Sequence, residues 1–317
     1  MSEVWRLDLA TLRWETMPIL GTGRCVHGCC AVRGALVVIG GVDTSDEGLS
    51  SVEIIRNGGT ASRGPDSGFT ELPPLSCGGI ANGAAVAVDE SDSAAGQVLL
   101  VGGNVDYDYD SGVGREISLS DDGGGCAASK VHLVDLATGM CQPLPDLLSK
   151  VLHFATARLP DGRVAFAGGG GFYGTIMATA EVWQPPVQGA LDTAWTRREL
   201  PEMSVQRWAG RACALSDGRL AVIGGITQGG ITVSSCEALK IGADEHWEFF
   251  PSMHDVRSLF ACVAVAGCVV VAGGETQNAG GNLETAEVFD EWQGRWLRLP
   301  CVLPHAGGLS SMGFALL

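Results

Sequence analysis

The chain has 317 residues, of which 46 are glycine, 18% are charged and 46% are hydrophobic. This composition is typical of a turn-rich globular β protein and excludes an intrinsically disordered chain. The formal net charge of −16 at pH 7 argues against a nucleic-acid surface. No apolar run is long enough to span a bilayer, so we expect no membrane partner either.

Short apolar runs that end at a glycine pair recur five times along the chain. They occupy residues 36–41, 98–103, 164–169, 220–225 and 269–274. Four or five apolar residues bounded by a turn signal predict a buried strand. The glycine pair indicates unusual backbone dihedrals or a close neighbour. Regular recurrence of such a unit predicts a propeller or another repeat array.

An apolar residue followed by proline recurs six times, and proline ends a strand because it cannot continue the ladder. The six pairs are Met17-Pro18, Leu72-Pro73, Leu144-Pro145, Leu200-Pro201, Phe250-Pro251 and Leu299-Pro300. An aromatic residue stands four positions before the proline in four copies, namely Trp14, Phe69, Trp247 and Trp296. Cys141 takes this place in the third copy.

A third marker, a strand with a glutamate, lies between each glycine pair and the next proline. The glutamates are Glu3, Glu53, Glu181, Glu237 and Glu287, and His132 lies in the strand that lacks one. We interpret this glutamate as a structural hydrogen-bonding group, because a residue repeated in nearly every unit is a poor candidate for catalysis. Each full unit thus has four antiparallel strands, a to d, which is the pattern of a propeller blade.

Together the glycine pair, the glutamate strand, the tryptophan and the Leu-Pro resemble the kelch repeat across essentially the whole chain. The tyrosine of some kelch repeats is replaced here by Trp5, Trp183 or Phe289. The resemblance implies an all-β, six-bladed kelch-type β-propeller that forms a single domain, with no BTB-type or F-box-type segment beside the repeats. The expected blades are residues 20–73, 74–145, 146–201, 202–251 and 252–300, and a closing blade of 301–317 plus 1–19.

The closing blade is shared between the termini and lacks its strand b. Two explanations stay open: the closing blade has three strands, or the sequence stops early and is a truncated fragment. We favour truncation, because an open slot between strands a and c would expose unpaired strand edges.

Antiparallel order places the d–a and b–c loops on one face of the propeller. Arg24, Arg207 and Arg257 precede strand a at matching offsets, and His27 and His254 lie nearby. In kelch proteins this face often binds an acidic peptide or another partner, and a guanidinium group pairs well with carboxylates. The alternative role for these arginines is to pair with neighbouring acidic side chains and hold the loops in place.

The b–c loop of the second unit, residues 104–129, is exceptionally long, and such loops are usually functional or disordered. Its Asp106, Asp108 and Asp110 alternate as in calcium loops, although the glycine and the final glutamate of such loops are misplaced. A solvated acidic loop, or one that contacts the arginines, is the alternative. The glycines of 169–174 match a dinucleotide motif, but a repeat strand follows instead of a helix, so we expect no cofactor.

The favoured function is a protein-interaction module, a kelch scaffold or adaptor that binds a partner on the d–a/b–c loop face. A substrate-recognition subunit is one form of this role. The alternative is a small-molecule enzyme of the sugar-epimerase or specifier type at the channel mouth, and the third is a truncated fragment without autonomous function. The 11 cysteines form no disulfide framework or zinc motif, and no signal peptide is recognised, so a cytoplasmic location is expected.

Overall fold

The structure is a computed structural model that describes eleven stretches of the chain. They are residues 2–45, 48–56, 68–89, 95–103, 130–149, 151–170, 175–186, 194–242, 244–276, 281–305 and 313–316. All regular structure in these stretches is β-strand, as the sequence predicts. The strands form five four-stranded and three two-stranded antiparallel sheets. None of the described segments is a helix with the length and apolarity that crossing a membrane requires.

The chain divides into two compact units, and the first, centred on residues 16–152, holds two four-stranded sheets. Blade 1 consists of β3 (Gly28–Val32), β4 (Ala35–Ile39), β5 (Val52–Ile55) and β6 (Thr70–Leu72). Blade 2 consists of β7 (Ala81–Asp89), β8 (Gln97–Gly103), β9 (Val131–Asp135) and β10 (Cys141–Leu144). In both sheets neighbouring strands follow one another along the chain, which is the a-b-c-d order of a propeller blade.

The second unit, residues 6–15 and 153–316, holds three further four-stranded sheets. Blade 3 consists of β11 (Ala155–Arg158), β12 (Val164–Ala167), β13 (Ala180–Gln184) and β14 (Thr196–Leu200). Blade 4 consists of β15 (Arg211–Ala214), β16 (Leu220–Ile223), β19 (Cys236–Leu239) and β20 (Trp247–Phe250), and its b–c loop forms the hairpin of β17 (Ile226–Thr227) and β18 (Ile231–Thr232). Blade 5 consists of β21 (Ala261–Val265), β22 (Cys268–Ala272), β25 (Thr285–Asp290) and β26 (Arg295–Val302), with β23 (Glu275–Thr276) and β24 (Gly281–Asn282) as the matching hairpin.

Strand b lies in the buried interior of each blade, which confirms the prediction that the apolar runs form buried strands. All four residues of β16 are fully buried. Packing joins successive blades within each unit: Val37 of blade 1 and Leu100 of blade 2 belong to one cluster. Ile223 of blade 4 and Val271 of blade 5 belong to another. Because one blade cannot bury its apolar faces alone, neighbouring blades supply the other side of each core.

The expectation of six blades is wrong, because the described part of the chain forms five four-stranded blades. The residues assigned to the closing blade form only the two-stranded sheet of β1 (Trp5–Asp8) and β2 (Arg13–Thr16) in the described chain, and 313–316 carry no strand. The physical reason is the missing apolar run that would serve as the central strand. Trp14 of this hairpin instead packs against a cluster that contains Leu303 of the second unit. That the blades constitute a single domain stays a prediction.

The glycine pair of blade 1 yields a test of its backbone role. Gly40 has φ +64°, and a Cβ added there would lie 2.3 Å from the Ile80 carbonyl oxygen, whereas Gly34 has φ +72° and open space around it. We expect Gly34→Ala to cost about 1 kcal/mol, the ordinary penalty of the left-handed conformation. Gly40→Ala should cost more than about 3 kcal/mol, since the backbone must move as well. Urea unfolding of the two variants measures the difference, and equal losses would contradict it.

Candidate functional site

Three buried arginines organise the loops that precede strand a. Arg24, Arg207 and Arg257 are 2%, 1% and 0% exposed. Each is paired with the glutamate of strand c in its own blade, and these partners are Glu53, Glu237 and Glu287. All three glutamates are buried as well. A buried charge is tolerated only when it is paired and fully hydrogen-bonded, so the surrounding contacts decide what this arrangement does.

In blade 4 the guanidinium group of Arg207 joins the glycine turn to strand c. Its Nη1 donates to the carbonyl oxygens of Gly224, at 2.7 Å, and of Ser235, at 2.9 Å. Its Nη2 donates to Glu237 Oε1 at 2.7 Å and to Ser235 Oγ at 3.3 Å. The glycine turn that ends strand b is therefore fixed by a side chain from the d–a loop.

The glutamate of the same blade holds the d–a loop itself. The two carboxylate oxygens of Glu237 accept the backbone N–H groups of Ser204, at 2.7 Å, and Val205, at 3.1 Å. We call the set of arginine, glutamate, first glycine and Ser/Thr two residues before the glutamate the arginine clamp. It ties the d–a loop, the b–c loop and strand c into one hydrogen-bonded group.

Blades 1 and 5 repeat the arginine clamp with the same atoms. Arg24 Nη1 donates to Gly40 O at 2.8 Å, and Arg257 Nη1 donates to Gly273 O at 2.8 Å. The Ser/Thr positions of these clamps are Ser51 and Thr285, and both hydroxyl groups accept from the arginine. This Ser/Thr-x-Glu pattern is visible in the sequence, but the glutamate marker alone does not identify its Ser/Thr as a clamp residue.

The pKa of Glu287 shows the balance of forces within one clamp. Burial alone would raise the pKa of this carboxyl, but hydrogen bonds from the His254 backbone, the Arg257 guanidinium and the His254 side chain hold the pKa below its ordinary value. The carboxylate therefore stays ionised in the folded chain. The arrangement stabilises a charge and leaves no acidic proton to donate.

Blades 2 and 3 depart from this pattern. In blade 2, His132 replaces the glutamate, and Gly102 lies inside the extended strand β8 instead of in a left-handed turn. In blade 3, the indole of Trp183 donates to Glu181 Oε1 at 3.2 Å. Its glycine pair, Gly168 and Gly169, still has positive φ values of 66° and 109°.

The structure places the predicted partner-binding residues in different environments. The terminal nitrogens of Arg24, Arg207 and Arg257 donate to acceptors inside their own blades. Of the two roles left open by the sequence, the geometry therefore favours the structural one. His27 is partly buried, and burial, followed by the charge of Arg24, lowers its pKa to about 4. His254 is half exposed, and its Nδ1 lies 2.8 Å from Glu287 Oε2. The calcium candidates Asp106, Asp108 and Asp110 lie outside the described residues.

Exposed side chains lie on the d–a and b–c loops of blade 4 in the second unit. The β17–β18 hairpin continues the d–a loop through a bridge between Trp208 and Ile226, and Ile231 on this hairpin is 60% exposed. Gln206, the residue before Arg207, is exposed. Over the part of the chain that is described, no three His, Cys, Asp or Glu side chains come together as a metal site. The arrangement therefore offers rigid loops with outward side chains.

Comparisons with known proteins agree with this architecture. The kelch motif model matches residues 257–302, which contain the arginine, glycine pair, glutamate and tryptophan of blade 5. An F-box/kelch-repeat protein of Arabidopsis thaliana is 28% identical over 132 residues, which is 39% of this chain and 32% of that relative. The match thus spans about a third of the relative's length. The resemblance to the kelch-repeat family is confirmed.

The solved structure of YjhT is similar to this chain with a TM-score of 0.70 and 13% sequence identity. The alignment covers 94% of this chain and 91% of that chain. A likeness at this identity establishes the fold alone. The likeness agrees with a β-propeller arrangement, and the described residues form five blades of β-strands.

The buried clamp should dominate stability over exposed ion pairs of the same blade. We expect Arg207→Leu to cost about 3–5 kcal/mol, because it leaves Glu237 buried without its cation. Arg219→Leu is the matched control, since Arg219 pairs with the half-exposed Asp217 at 2.6 Å and should cost less than about 1 kcal/mol. The free energy of unfolding in urea measures both. Similar losses in the two variants would show that the clamp contributes no more than a surface pair.

The partly buried His153 of the second unit should make stability depend on pH. Burial, and next the charge of Arg211, lower the pKa of His153 from 6.5 to about 4. The unfolded chain binds a proton below about pH 6.5 whereas the folded chain does not, so this contribution is full above pH 6.5 and is lost as the pH falls toward 4. At pH 5 the loss is roughly 2 kcal/mol relative to pH 7.5.

His153→Asn keeps a residue that tolerates the positive φ of 49° at this position and removes the titration. Thermal unfolding midpoints at pH 7.5 and pH 5 should fall less in the variant than in the native chain. Equal falls would contradict the low pKa.

Proposed function

Because the chain carries kelch repeats, we propose that it is a protein-interaction module that binds a protein partner through its d–a and b–c loops. The proposal includes a scaffold or adaptor role, of which a substrate-recognition subunit is one form, and a cytoplasmic location. The ten described cysteines are all free thiols, which fits a reducing compartment.

The observation that carries the proposal is the fixation of these loops by the arginine clamp. Backbone N–H groups of the d–a loops donate to Glu237 in blade 4 and to Glu287 in blade 5. The b–c loops of the same blades are braced by short strand pairs. A surface that is already ordered loses less conformational entropy on binding, so its contacts contribute more fully to affinity.

The proposed contacts are the outward side chains on these loops and not the clamp arginines. A carboxylate of a partner could reach the guanidinium of Arg207 only by displacing Glu237 from a fully buried position. Exposed Ile231 and Gln206 are available without such a rearrangement. The clamp arginines are therefore not available to anchor an acidic segment of a partner. The net charge of −16 instead favours the approach of a basic segment.

Among the described residues, no specific observation favours the enzyme alternative. Acid–base catalysis requires a titratable group that is accessible and has a pKa near the working pH. His27 is only partly exposed and has a pKa of about 4. His254 is exposed, but its Nδ1 contacts Glu287, and the guanidinium groups pair with acidic side chains within their own blades. The interaction module is the function that this geometry supports best.

A peptide-binding experiment with matched variants tests the proposal. Arrays of acidic and of basic peptides are probed with the native chain, with Ile231→Asp/Gln206→Glu, and with Trp292→Ser. Trp292 is 96% exposed on the c–d loop of blade 5, at the opposite end of the strands. We expect binding to weaken at least about tenfold in the loop variant, since exposed apolar anchors carry interface energy, and to be unchanged in the control.

All three proteins must first show the same thermal unfolding midpoint, so that lost binding reflects the surface. Loss of binding in Trp292→Ser alone would move the interface to the c–d loops. No binding of either peptide class to the native chain would contradict the proposal. Preference for acidic over basic peptides would restore the acidic-partner hypothesis without the arginines as anchors.

A further inference from the structure

Tryptophans of strand d bridge successive blades in the second unit. Trp247 Nε1 of blade 4 donates to the carbonyl oxygen of Pro201, at the end of blade 3, at 2.8 Å. Trp296 Nε1 of blade 5 donates to the carbonyl oxygen of Pro251, at the end of blade 4, at 2.7 Å. The repeated tryptophan and proline of the sequence are therefore the two partners of one inter-blade hydrogen bond.

Blade 2 has Cys141 at the position of this tryptophan, and a second cysteine lies opposite it. Cys77, in the connection from blade 1 to blade 2, has its Sγ 2.7 Å from Cys141 Sγ. The backbone around the pair is fixed: Cys141 N donates to Ser76 Oγ at 2.8 Å, and Ser76 N donates to Gly139 O at 2.9 Å. Both cysteines are only partly buried, so small reagents can reach them.

We propose that Cys77 and Cys141 form a reversible disulfide in the presence of a peroxide, and that this bond replaces the Trp–Pro bridge between blades 1 and 2. The two residues are separated by 64 positions in the chain, but the fold holds their sulfur atoms in contact. A covalent bond at this place would close a long chain loop, which restricts the unfolded state and stabilises the folded one.

The chemistry balances with peroxide as the oxidant. The thiolate of Cys141 attacks one oxygen of hydrogen peroxide, the O–O bond breaks, and Cys141 sulfenic acid and hydroxide form. Cys77 then attacks the sulfenic sulfur, the S–S bond forms, and the sulfenic oxygen leaves as hydroxide. The two protons given up by the thiols convert both hydroxides into water. Two thiols lose two electrons in total and the peroxide gains them, and a thiol reductant reverses the bond.

The surroundings distinguish this pair from the other neighbouring thiols. The hydrogen bond from Cys77, with others from Ser76, lowers the pKa of Cys141, which favours its reactive thiolate. Cys213 also contacts a cysteine, Cys262, and this contact raises the pKa of Cys213 as the contact with Cys141 raises that of Cys77. The difference between the pairs is that Cys213 and Cys262 are both buried. The buried pair should therefore stay reduced and serves as an internal control.

The test treats the intact native chain with one equivalent of hydrogen peroxide at neutral pH. Free thiols are then alkylated, and the peptides are mapped by mass spectrometry without reduction. We expect two of the 11 thiols to disappear, a linked peptide between Cys77 and Cys141, and full recovery with dithiothreitol. Cys77→Ser and Cys141→Ser, both conservative, should keep the native unfolding midpoint and form no linked peptide.

Two outcomes would overturn the proposal. The first is linkage of Cys141 or Cys77 to another cysteine, such as Cys126, or no linkage at all while thiols are consumed. The second concerns the bridging role: oxidation should raise the unfolding midpoint of the native chain by several degrees and leave that of Cys141→Ser unchanged. A linked peptide without that rise would show that the bond does not bridge the blades.

Discussion

A buried guanidinium group that pairs with a buried carboxylate is the interaction on which each regular blade depends. Burying two charges costs several kcal/mol per ion unless every donor and acceptor is satisfied. Here most of the cost is offset, because Arg207 also bonds a glycine carbonyl and a serine and Glu237 also accepts two backbone N–H groups, although the buried Nε of Arg207 has no acceptor. Removal of any one partner leaves the others unsatisfied in a dry environment, so the group acts as a unit.

The same arginines also connect blades within the second unit. The carbonyl oxygen of Arg207 accepts the N–H of Gly169 from blade 3, and that of Arg257 accepts the N–H of Gly225 from blade 4, each at 2.8 Å. In blades 3 and 4 the second glycine of the pair therefore hydrogen-bonds to the next blade, and it has a positive φ. The side chain of each arginine holds the glycine turn of its own blade, and its backbone carbonyl accepts a hydrogen bond from the preceding blade. This network of hydrogen bonds holds the d–a loops and the glycine turns of blades 3 to 5 together.

Much of the fold can be predicted from the sequence, because its signals are local and repeated. Apolar runs, glycine pairs and prolines identified the strands and their order, and strand b is buried as expected. The number of blades was predicted wrongly, although the sequence already showed that the closing blade lacks a strand b. The hairpin around Trp14 has the markers of strands c and d, and in the described chain it pairs with no third strand. The role of Arg207 also stayed open, because the sequence does not show whether its loop turns it inward or outward. The contact of Cys77 with Cys141 could not be predicted from the sequence, because it depends on how two blades pack.

The most direct measurement of the central claim is hydrogen–deuterium exchange of the d–a loops in the native chain and in Glu237→Ala. The clamp account predicts that residues 201–207 lose protection in the variant, because Ser204 and Val205 no longer find their acceptor. Residues 251–257 are the internal control, since their backbone donates to Glu287 instead. Selective loss of protection in 201–207 would support the claim. Unchanged exchange in that segment, or an equal change in both, would contradict it.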